Sequence, residues 1–192
     1  FAALGAVVAI FFGLATVSSF AVPLAAILGA GIATLLLAVA AVRGAGSVTL
    51  LLIGIGLSSF AGALMSLAMN MAPNPYSLSD LVNWMMGSVA NRSWADVWLA
   101  APGFAIGAAL VLVAGPGLRA LSLGEETAAS LGADPKRTRL LVIAGTSLLA
   151  GVSVATAGAI GFVGIVAPHV VRPFVRHDPQ GLLVPSALLA GI

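Results

Sequence analysis

The polar side chains that could do chemistry are concentrated in one stretch, from Arg119 to Arg139, which reads RALSLGEETAASLGADPKRTR. No known catalytic motif occurs in the chain, since it has no His-Glu-x-x-His sequence, no Gly-x-Ser-x-Gly elbow and no Walker A loop. Cysteine is absent and the two histidines have no carboxylate at ligand spacing, so we predict no metal site and no cofactor. A capped segment of mixed charge is typical of a surface on which another protein docks.

The composition predicts a membrane protein. Hydrophobic residues make up 60% of the 192 positions and charged residues 7%, with a mean hydropathy of +1.15. No soluble fold of this size could bury so much apolar surface, so we predict an all-α, polytopic bundle of transmembrane helices. A net charge of +2 with so few cations does not indicate a nucleic-acid partner. Apolar runs reach both ends, so residues 1–192 are expected to form one transmembrane domain that is incomplete at both ends.

Four apolar runs are candidates to cross about 30 Å of hydrocarbon as helices. They cover residues 1–17, 20–42, 48–71 and 95–114, and Gly103 and Gly107 give the last run a spacing for close helix contact. The stretch 140–171, uncharged apart from His169, would be about 48 Å long as one helix, which is too long for the bilayer. We predict a span over 140–156, a tight reversal, and an irregular return to Arg172. Irregular backbone at this depth must face protein or a water-filled pathway.

The basic residues predict the orientation of these spans. If the predicted spans alternate in direction, Arg92 falls at one end of the bundle, and the other seven fall at the opposite end: Arg43, Arg119, Lys136, Arg137, Arg139, Arg172 and Arg176. By the positive-inside rule, the end with seven cations is predicted to be cytoplasmic.

Residues 72–94 are predicted to form an external loop with an amphipathic helix. Pro73 and Pro75 break the preceding helix, and Ser77 with Asp80 gives a capping signal. Apolar residues then recur every three to four positions, at Leu78, Leu81, Val82, Met85, Met86 and Val89. The helix is too short to span, so we expect it at the interface or in the mouth of the bundle. An interface anchor is favoured over a substrate site, and Trp84, Trp94 and Trp98 suit an interfacial belt.

Residues 119–139 are predicted to form a cytoplasmic loop in which two short helices meet at a glycine bend. Ser122 and Glu125 form a capping box, Gly132 suits the left-handed position after the first helix, and Asp134 can cap a second helix that begins at Pro135. One face of the first helix presents Leu123, Thr127 and Leu131, with Ala128 beside them. From spacing alone, an ordinary connector is favoured over a docking site.

His169 and Arg172 are the ionisable residues in the predicted return segment, just after Pro168. An ionisable group in a membrane segment is a functional candidate by default. Equally, Arg172 near a helix end can extend to water, and a neutral His169 can bond a carbonyl that Pro168 leaves free. Both interpretations stay open, and a structural or gating role is favoured over a proton relay.

Four segments of the chain match a known family in order and spacing. They are LVNWMMGS at 81–88, LSLGEETAASLGAD at 121–134, GVSVATAGAIGFVGIVAPHVVR at 151–172 and HDPQGLLVPSALLAG at 177–191. Through them the sequence resembles, over essentially its whole length, the membrane permease of type II ABC importers for iron–siderophores, haem and vitamin B12, the FecCD-like family. The resemblance implies that the chain covers the third span through the start of the ninth span of a longer permease.

The resemblance also implies roles for individual residues. In the family the loop forms coupling helices that seat in a groove of an ATPase subunit, which shifts the prediction for residues 119–139 from connector to docking site. The coupling residues would be Leu123, Gly124, Glu125, Ala128, Leu131 and Gly132. Candidates for the gate or pathway are Gly46, Ser47 and Val48 at the start of the third span, and Gly161, Gly164, Pro168, His169 and Arg172 in the return segment.

The implied function is ATP-driven import of an iron–siderophore complex through the bacterial inner membrane, with vitamin B12 and haem as alternative cargoes. The expected partners are two copies of an ABC ATPase subunit, an extracytoplasmic substrate-binding protein, a second permease copy or paralogue, and the lipid bilayer. ATP hydrolysis would occur on the partner, so this subunit is not predicted to be an enzyme. From another class, an ion-coupled secondary transporter would need ionisable residues at the midplane, and the predicted spans contain no acidic residue there. A membrane-embedded enzyme would need a nucleophile–base pair, and we identify none.

Overall fold

The computed structural model describes residues 1–18, 20–90, 92–175 and 179–191. Within these residues the chain is all-helical, as predicted, and four helices, α2, α3, α5 and α7, are long and apolar enough to cross a membrane. The α-helices are α1 (Ala2–Phe11), α2 (Ala21–Val42), α3 (Ser47–Asn70), α4 (Pro75–Met86), α5 (Trp94–Leu121), α6 (Glu125–Ser130), α7 (Pro135–Ala157), α8 (Val163–Val171) and α9 (Pro179–Ala190). Short 3-10 turns cover Leu14–Thr16 and Arg172–Val175.

Helix α7 lies at the centre of the bundle, packed against α2 on one side and α5 on the other. Its contact with α5 depends on glycine. A β-carbon added to Gly107 would lie 3.1 Å from the carbonyl oxygen of Gly145, and one added to Gly103 would lie 2.5 Å from Cγ2 of Val152. The two backbones therefore touch directly, and the predicted close contact at Gly103 and Gly107 is confirmed.

The bundle has two distinct ends, which we call the α4 end and the α6 end after the short helix at each. Pro23 near the start of α2 and Ala157 at the end of α7 line the same cavity as Trp84 of α4, so α2 begins and α7 ends at the α4 end. Arg43, after the last residue of α2, therefore lies at the α6 end with the cations that begin α7. Arg176, which the sequence analysis assigned to the same end, lies outside the described residues.

Two helix boundaries differ from the sequence predictions. The first apolar run is not one long helix, because α1 ends at Phe11 and Gly13 adopts a left-handed conformation with φ +70°. Helix α5 does not stop at residue 114, since it continues through Pro116 to Leu121. A proline removes one backbone donor, and a helix packed along glycines against a neighbour tolerates that loss.

The reversal after α7 is confirmed, but the return segment is more regular than predicted. Gly158 ends α7 with φ +77°, and Phe162 adopts φ +64° immediately before α8. The return then forms the nine-residue α8 and a 3-10 turn rather than irregular backbone. The side chain of Gln180 in α9 lies beside Gly115 of α5, so α9 begins next to the C-terminal part of α5, near the α6 end.

Helix α4 tucks into the mouth of the bundle rather than lying on its rim. The side chain of Leu81 is 0% exposed, and the amide of Ser88 donates to the carbonyl of Ala157 at 2.7 Å. The predicted cap at Ser77 was wrong, because Asn74 is the N-cap and its side-chain oxygen accepts from the amide of Ser77 at 2.8 Å. Pro75 is the first residue of α4, where a missing donor costs nothing.

Candidate functional site

The candidate site is α6 together with the chain that joins it to α5 and α7. The predicted capping box of Ser122 and Glu125 was wrong: because α5 extends to Leu121, Ser122 closes α5, and its Oγ donates to the carbonyl of Arg119 at 2.7 Å. Helix α6 begins at Glu125, after Gly124 at φ +101°. That backbone conformation is one that glycine adopts without strain, so Gly124 sets the angle at which α6 leaves α5.

The far end of α6 closes with a Schellman motif. Gly132 has φ +81°, its amide donates to the carbonyl of Ala129 at 3.0 Å, and the amide of Ala133 donates to the carbonyl of Ala128 at 2.9 Å. Asp134 then caps α7, its Oδ1 accepting from the amides of Lys136 and Arg137 at 2.9 and 3.1 Å. Gly132 and Asp134 thus act as predicted, although the second short helix is the beginning of the 23-residue α7.

The predicted docking face of α6 divides into a buried and an exposed part. Ala128 is 0% exposed and turns toward the bundle, whereas Leu123 and Leu131 are 62% and 66% exposed. The α6 residues Glu125, Glu126, Thr127, Ala129 and Ser130 are also exposed. Beside Leu131 lies an open groove of about 470 Å³ between the end of α5 and the start of α7. The two exposed leucines therefore flank α6, one before it and one at its C-cap, and their burial against a partner would be favourable.

An ion pair that the sequence analysis missed holds α6 against α7. The guanidinium of Arg139 pairs with the carboxylate of Glu125, the first residue of α6. The Arg139 side chain is 10% exposed and its Nε is buried without a hydrogen-bond partner, while Glu125 is 52% exposed. The sequence offered one signal for this pair, since Glu125 and Arg139 carry opposite charges on either side of the predicted bend at Gly132. The fold is needed to show that the two side chains meet.

The candidate gate residues fall into two groups that pack against different helices. Gly46 is the N-cap of α3, and Ser47 and Val48, both exposed, begin a helix that packs against α1 and α2. The return segment packs instead against α9. Within it, β-carbons added to Gly161 or Gly164 would meet open space, and His169 and Arg172 are exposed. The structure does not join the two groups into one site.

A polar cavity that the sequence analysis did not predict lies at the α4 end. It measures about 460 Å³, and its polar lining is Asp80, Asn83, Ser88 and Arg92, with Trp84 beside them. Nε of Arg92 donates to the carbonyl of Ser88 at 3.4 Å. Across the described part of the chain, no group of three histidine or acidic side chains could hold a metal ion. Its polar lining makes the cavity a polar mouth to the bundle. Helix α5 begins close to Arg92, and its first turn is capped by Asp96, which accepts from the amide of Ser93 at 2.8 Å.

Comparisons with known proteins agree in pointing to one family. The model of the FecCD transport family matches residues 1–192. The chain is 36% identical to the uncharacterized ABC transporter permease protein YvrB of Bacillus subtilis (strain 168), over 98% of this chain and 54% of that protein. It is 35% identical to the vitamin B12 import system permease protein BtuC of Klebsiella pneumoniae, over 99% of this chain and 56% of that protein.

Two further matches extend the comparison. The Fe(3+)-citrate import system permease protein YfmD of Bacillus subtilis (strain 168) is 41% identical over 59% of this chain and 34% of its own length. Among solved structures, a chain described as a metal-chelate type ABC transporter in an inward-facing conformation matches with a TM-score of 0.83 and 33% identity, covering 99% of this chain and 60% of that one. YvrB and BtuC match 98–99% of this chain, and the chain spans about half the length of these curated relatives.

Proposed function

This chain belongs to the FecCD transport family, and on that premise we propose that it is part of the permease of an ATP-driven importer that carries an iron–siderophore complex into the cytoplasm. The observation that carries the proposal is α6, a polar helix flanked by two exposed leucines, Leu123 and Leu131, at the end of an apolar bundle. ATP hydrolysis takes place on a separate ABC ATPase, for which α6 is the docking element. The α6 end is accordingly the cytoplasmic end of a multi-pass protein in the bacterial inner membrane.

The complete importer contains more than this chain. Two ATPase copies dock at the α6 ends of two permeases, either identical copies or related subunits, and the pathway runs between them. An extracytoplasmic substrate-binding protein delivers the chelate at the α4 end, where Arg92 and the polar mouth lie. Closure of the ATPase dimer moves α6 and the helices that hold it, and packed helices respond by switching between discrete arrangements. Gly46, Ser47 and Val48, together with the return segment at 161–172, are the proposed gate residues.

Iron–siderophore is the first candidate cargo, and the second is vitamin B12. One observation supports vitamin B12, namely that BtuC of Klebsiella pneumoniae, named for vitamin B12 import, matches 99% of this chain, whereas YfmD, named for ferric citrate import, matches 59%. Purifying the cognate binding protein from cells and identifying its bound chelate by absorbance and mass spectrometry decides between the two. Retention of cobalamin would overturn the iron–siderophore assignment and leave the ABC importer function intact.

The competing class, an ion-coupled secondary transporter, makes a different energetic prediction. The described acidic residues lie at helix ends or in short helices, with Asp96 in the first turn of α5 as the one inside a spanning helix. A driving-ion site at the midplane is therefore not supplied by the described residues. In vesicles with the reconstituted complex, uptake should require ATP and persist when proton and sodium gradients are collapsed. Uptake driven by a gradient without ATP would refute the proposal in favour of that class.

Docking at α6 can be tested separately from transport. Replacing Leu131, which is 66% exposed, with Glu should reduce capture of the ATPase by the detergent-solubilised complex by about tenfold or more, since burying a leucine side chain contributes about 1.5–3 kcal/mol. The matched control is Val89→Glu, which adds the same charge at a residue 71% exposed near the α4 end. Equal capture by both variants would mean that α6 is not the docking element.

A further inference from the structure

The Glu125–Arg139 pair has an arrangement that docking alone does not explain. Glu125 is the first residue of α6, and Arg139 is the fifth residue of α7, so the pair joins two helices across the bend at Gly132. The arginine is nine-tenths buried while its partner is half-exposed. A side chain buried to this extent inside the permease is poorly placed to contact a separate subunit, so Arg139 must act through contacts within its own chain.

Arg139 also differs from the other cations of its helix. Lys136 and Arg137 lie in the first turn of α7, where the helix dipole disfavours cations, but both are exposed to solvent. Arg139 follows in the second turn, and its side chain is only 10% exposed. Burial of a cation is tolerated when an opposite charge accompanies it, and its buried Nε has no acceptor, so the bond to Glu125 is the compensation that the described residues provide.

The remaining attachments of α6 make this pair decisive for its position. In its second half, α6 is fixed by Ala128, which is 0% exposed, and by the Schellman motif at Gly132 and the cap at Asp134, which join it to α7. At its near end, it is joined to α5 through Ser122–Gly124, which includes a glycine at φ +101° that can act as a hinge. Without the ion pair, the near end of α6 could swing about Gly124 independently of α7.

We propose that the Glu125–Arg139 ion pair is a mechanical tie between α6 and α7, and that Arg139 is a positioning residue that makes α7 follow any displacement of α6. The proposal rests on the proposed function only in that the displacement comes from a docked ATPase. Its central claim is that replacing Arg139 reduces transport without reducing ATPase docking. Removing the tie leaves the exposed surface of α6 available for docking but disconnects α7 from it.

The test uses the complete importer, with Arg139→Gln in the full-length permease and Arg43→Gln as the matched control. Arg43 is the same residue type, exposed, at the α6 end and outside the groove beside Leu131. Arg139→Gln removes the buried cation together with the tie, and the carboxylate that loses its partner, Glu125, is half-exposed to solvent. We expect this variant to capture the ATPase within about twofold of wild type while ATP-driven uptake falls by about tenfold or more, in the range of typical coupling energies. Arg43→Gln should retain both activities.

Two further measurements distinguish a tie from a general structural defect. The exchanged pair Glu125→Arg with Arg139→Glu should restore much of the uptake, because the attraction survives the exchange. Spin labels at cysteines placed at Thr127 and Thr146, both exposed, should give a narrow distance distribution in wild type and in the exchanged pair, and a broad one in Arg139→Gln. This second readout needs no ATPase, so it tests the tie even if the proposed function fails.

The proposal is overturned by any of three results. Normal uptake by Arg139→Gln would show that the tie is dispensable. Loss of ATPase capture in parallel with uptake would show that docking and coupling are not separable at this residue. A distance distribution that stays as narrow in Arg139→Gln as in wild type would show that α6 is held by its other attachments. By contrast, uptake that needs no ATP in wild type would refute the proposed function while leaving the distance measurement to decide on the tie.

Discussion

The contact between α5 and α7 makes a quantitative prediction for Gly145→Ala. The added methyl carbon would lie 2.7 Å from Cγ2 of Val111 and 2.9 Å from the carbonyl oxygen of Gly107, about 0.5 Å or more inside ordinary contact. Valine has one strongly preferred rotamer in a helix, and the carbonyl belongs to the backbone of α5, so neither can move aside locally. The helices must separate instead, and overpacking of this kind costs about 1–3 kcal/mol.

The matched control is Gly62→Ala in α3, where an added methyl carbon meets open space. Both variants gain the same helix propensity over glycine, so the difference between them isolates the cost of the contact. For a chain of this size each kcal/mol shifts the melting temperature by about 2–4 °C, so Gly145→Ala should melt about 2–12 °C below Gly62→Ala. Thermal unfolding in detergent micelles, followed by circular dichroism, measures this. Equal melting temperatures would mean that α5 and α7 are further apart than described.

Three further substitutions have defined outcomes. Leu81→Ala should cost about 2–5 kcal/mol in the same melting assay, because its side chain is 0% exposed; a cost below about 1 kcal/mol would place α4 outside the bundle mouth. Asp134→Ala should cost about 0.5–2 kcal/mol and speed hydrogen exchange at the amides of Lys136 and Arg137, while Asp134→Asn should not; equal exchange in the two variants would contradict the cap. Gly132→Val should cost about 1–2 kcal/mol, because its φ of +81° strains a side chain, and reduce ATPase capture; an unchanged melting temperature would contradict the Schellman motif.

The sequence was most informative where a local signal and its physical cause coincide. Asp134 followed by Pro135 predicted the start of α7, because a carboxylate cap and a residue without an amide donor both favour that position. Gly132 predicted the end of α6 through its left-handed conformation. The length of the uncharged stretch 140–171 predicted the reversal near residue 157, because no single helix of that length fits a bilayer.

Predictions failed where two local signals competed for the same residue. Ser122 has the right spacing to cap α6, but α5 continues through Pro116 and uses Ser122 as its own terminus. Asn74 and Ser77 both suit an N-cap, and Asn74 wins because Pro75 follows it. Neighbouring packing decides such cases, since a helix supported along its length by another helix runs past signals that would end it in isolation.

Contacts between distant residues were the part that the sequence could not predict. Glu125 and Arg139 are fourteen positions apart, and their meeting depends on where α6 leaves α5 and how sharply the chain turns at Gly132. Likewise, the amide of Ser88 reaches the carbonyl of Ala157 only because α4 enters the bundle mouth. Neither contact leaves a periodic pattern, since each is set by the tertiary arrangement of three or more elements.

Those two distant contacts lie at opposite ends of the same helix. Helix α7 has 23 residues, so at 1.5 Å per residue it extends about 35 Å, which is the thickness of the membrane core with a little to spare. At one end Arg139 pairs with Glu125 of α6, and at the other end the carbonyl of Ala157 accepts from the amide of Ser88, two residues after α4. Between these ends, Gly145 contacts the backbone of α5. A helix packed this closely resists bending, so a displacement at α6 reaches the α4 mouth mainly as movement of the whole helix. If the proposed tie and the proposed importer function hold, the ion pair, the glycine contact and the mouth are successive parts of one mechanical element. Loosening α5 from α7 by Gly145→Ala should then impair ATP-driven uptake even where the proposed ATPase partner is still captured at α6.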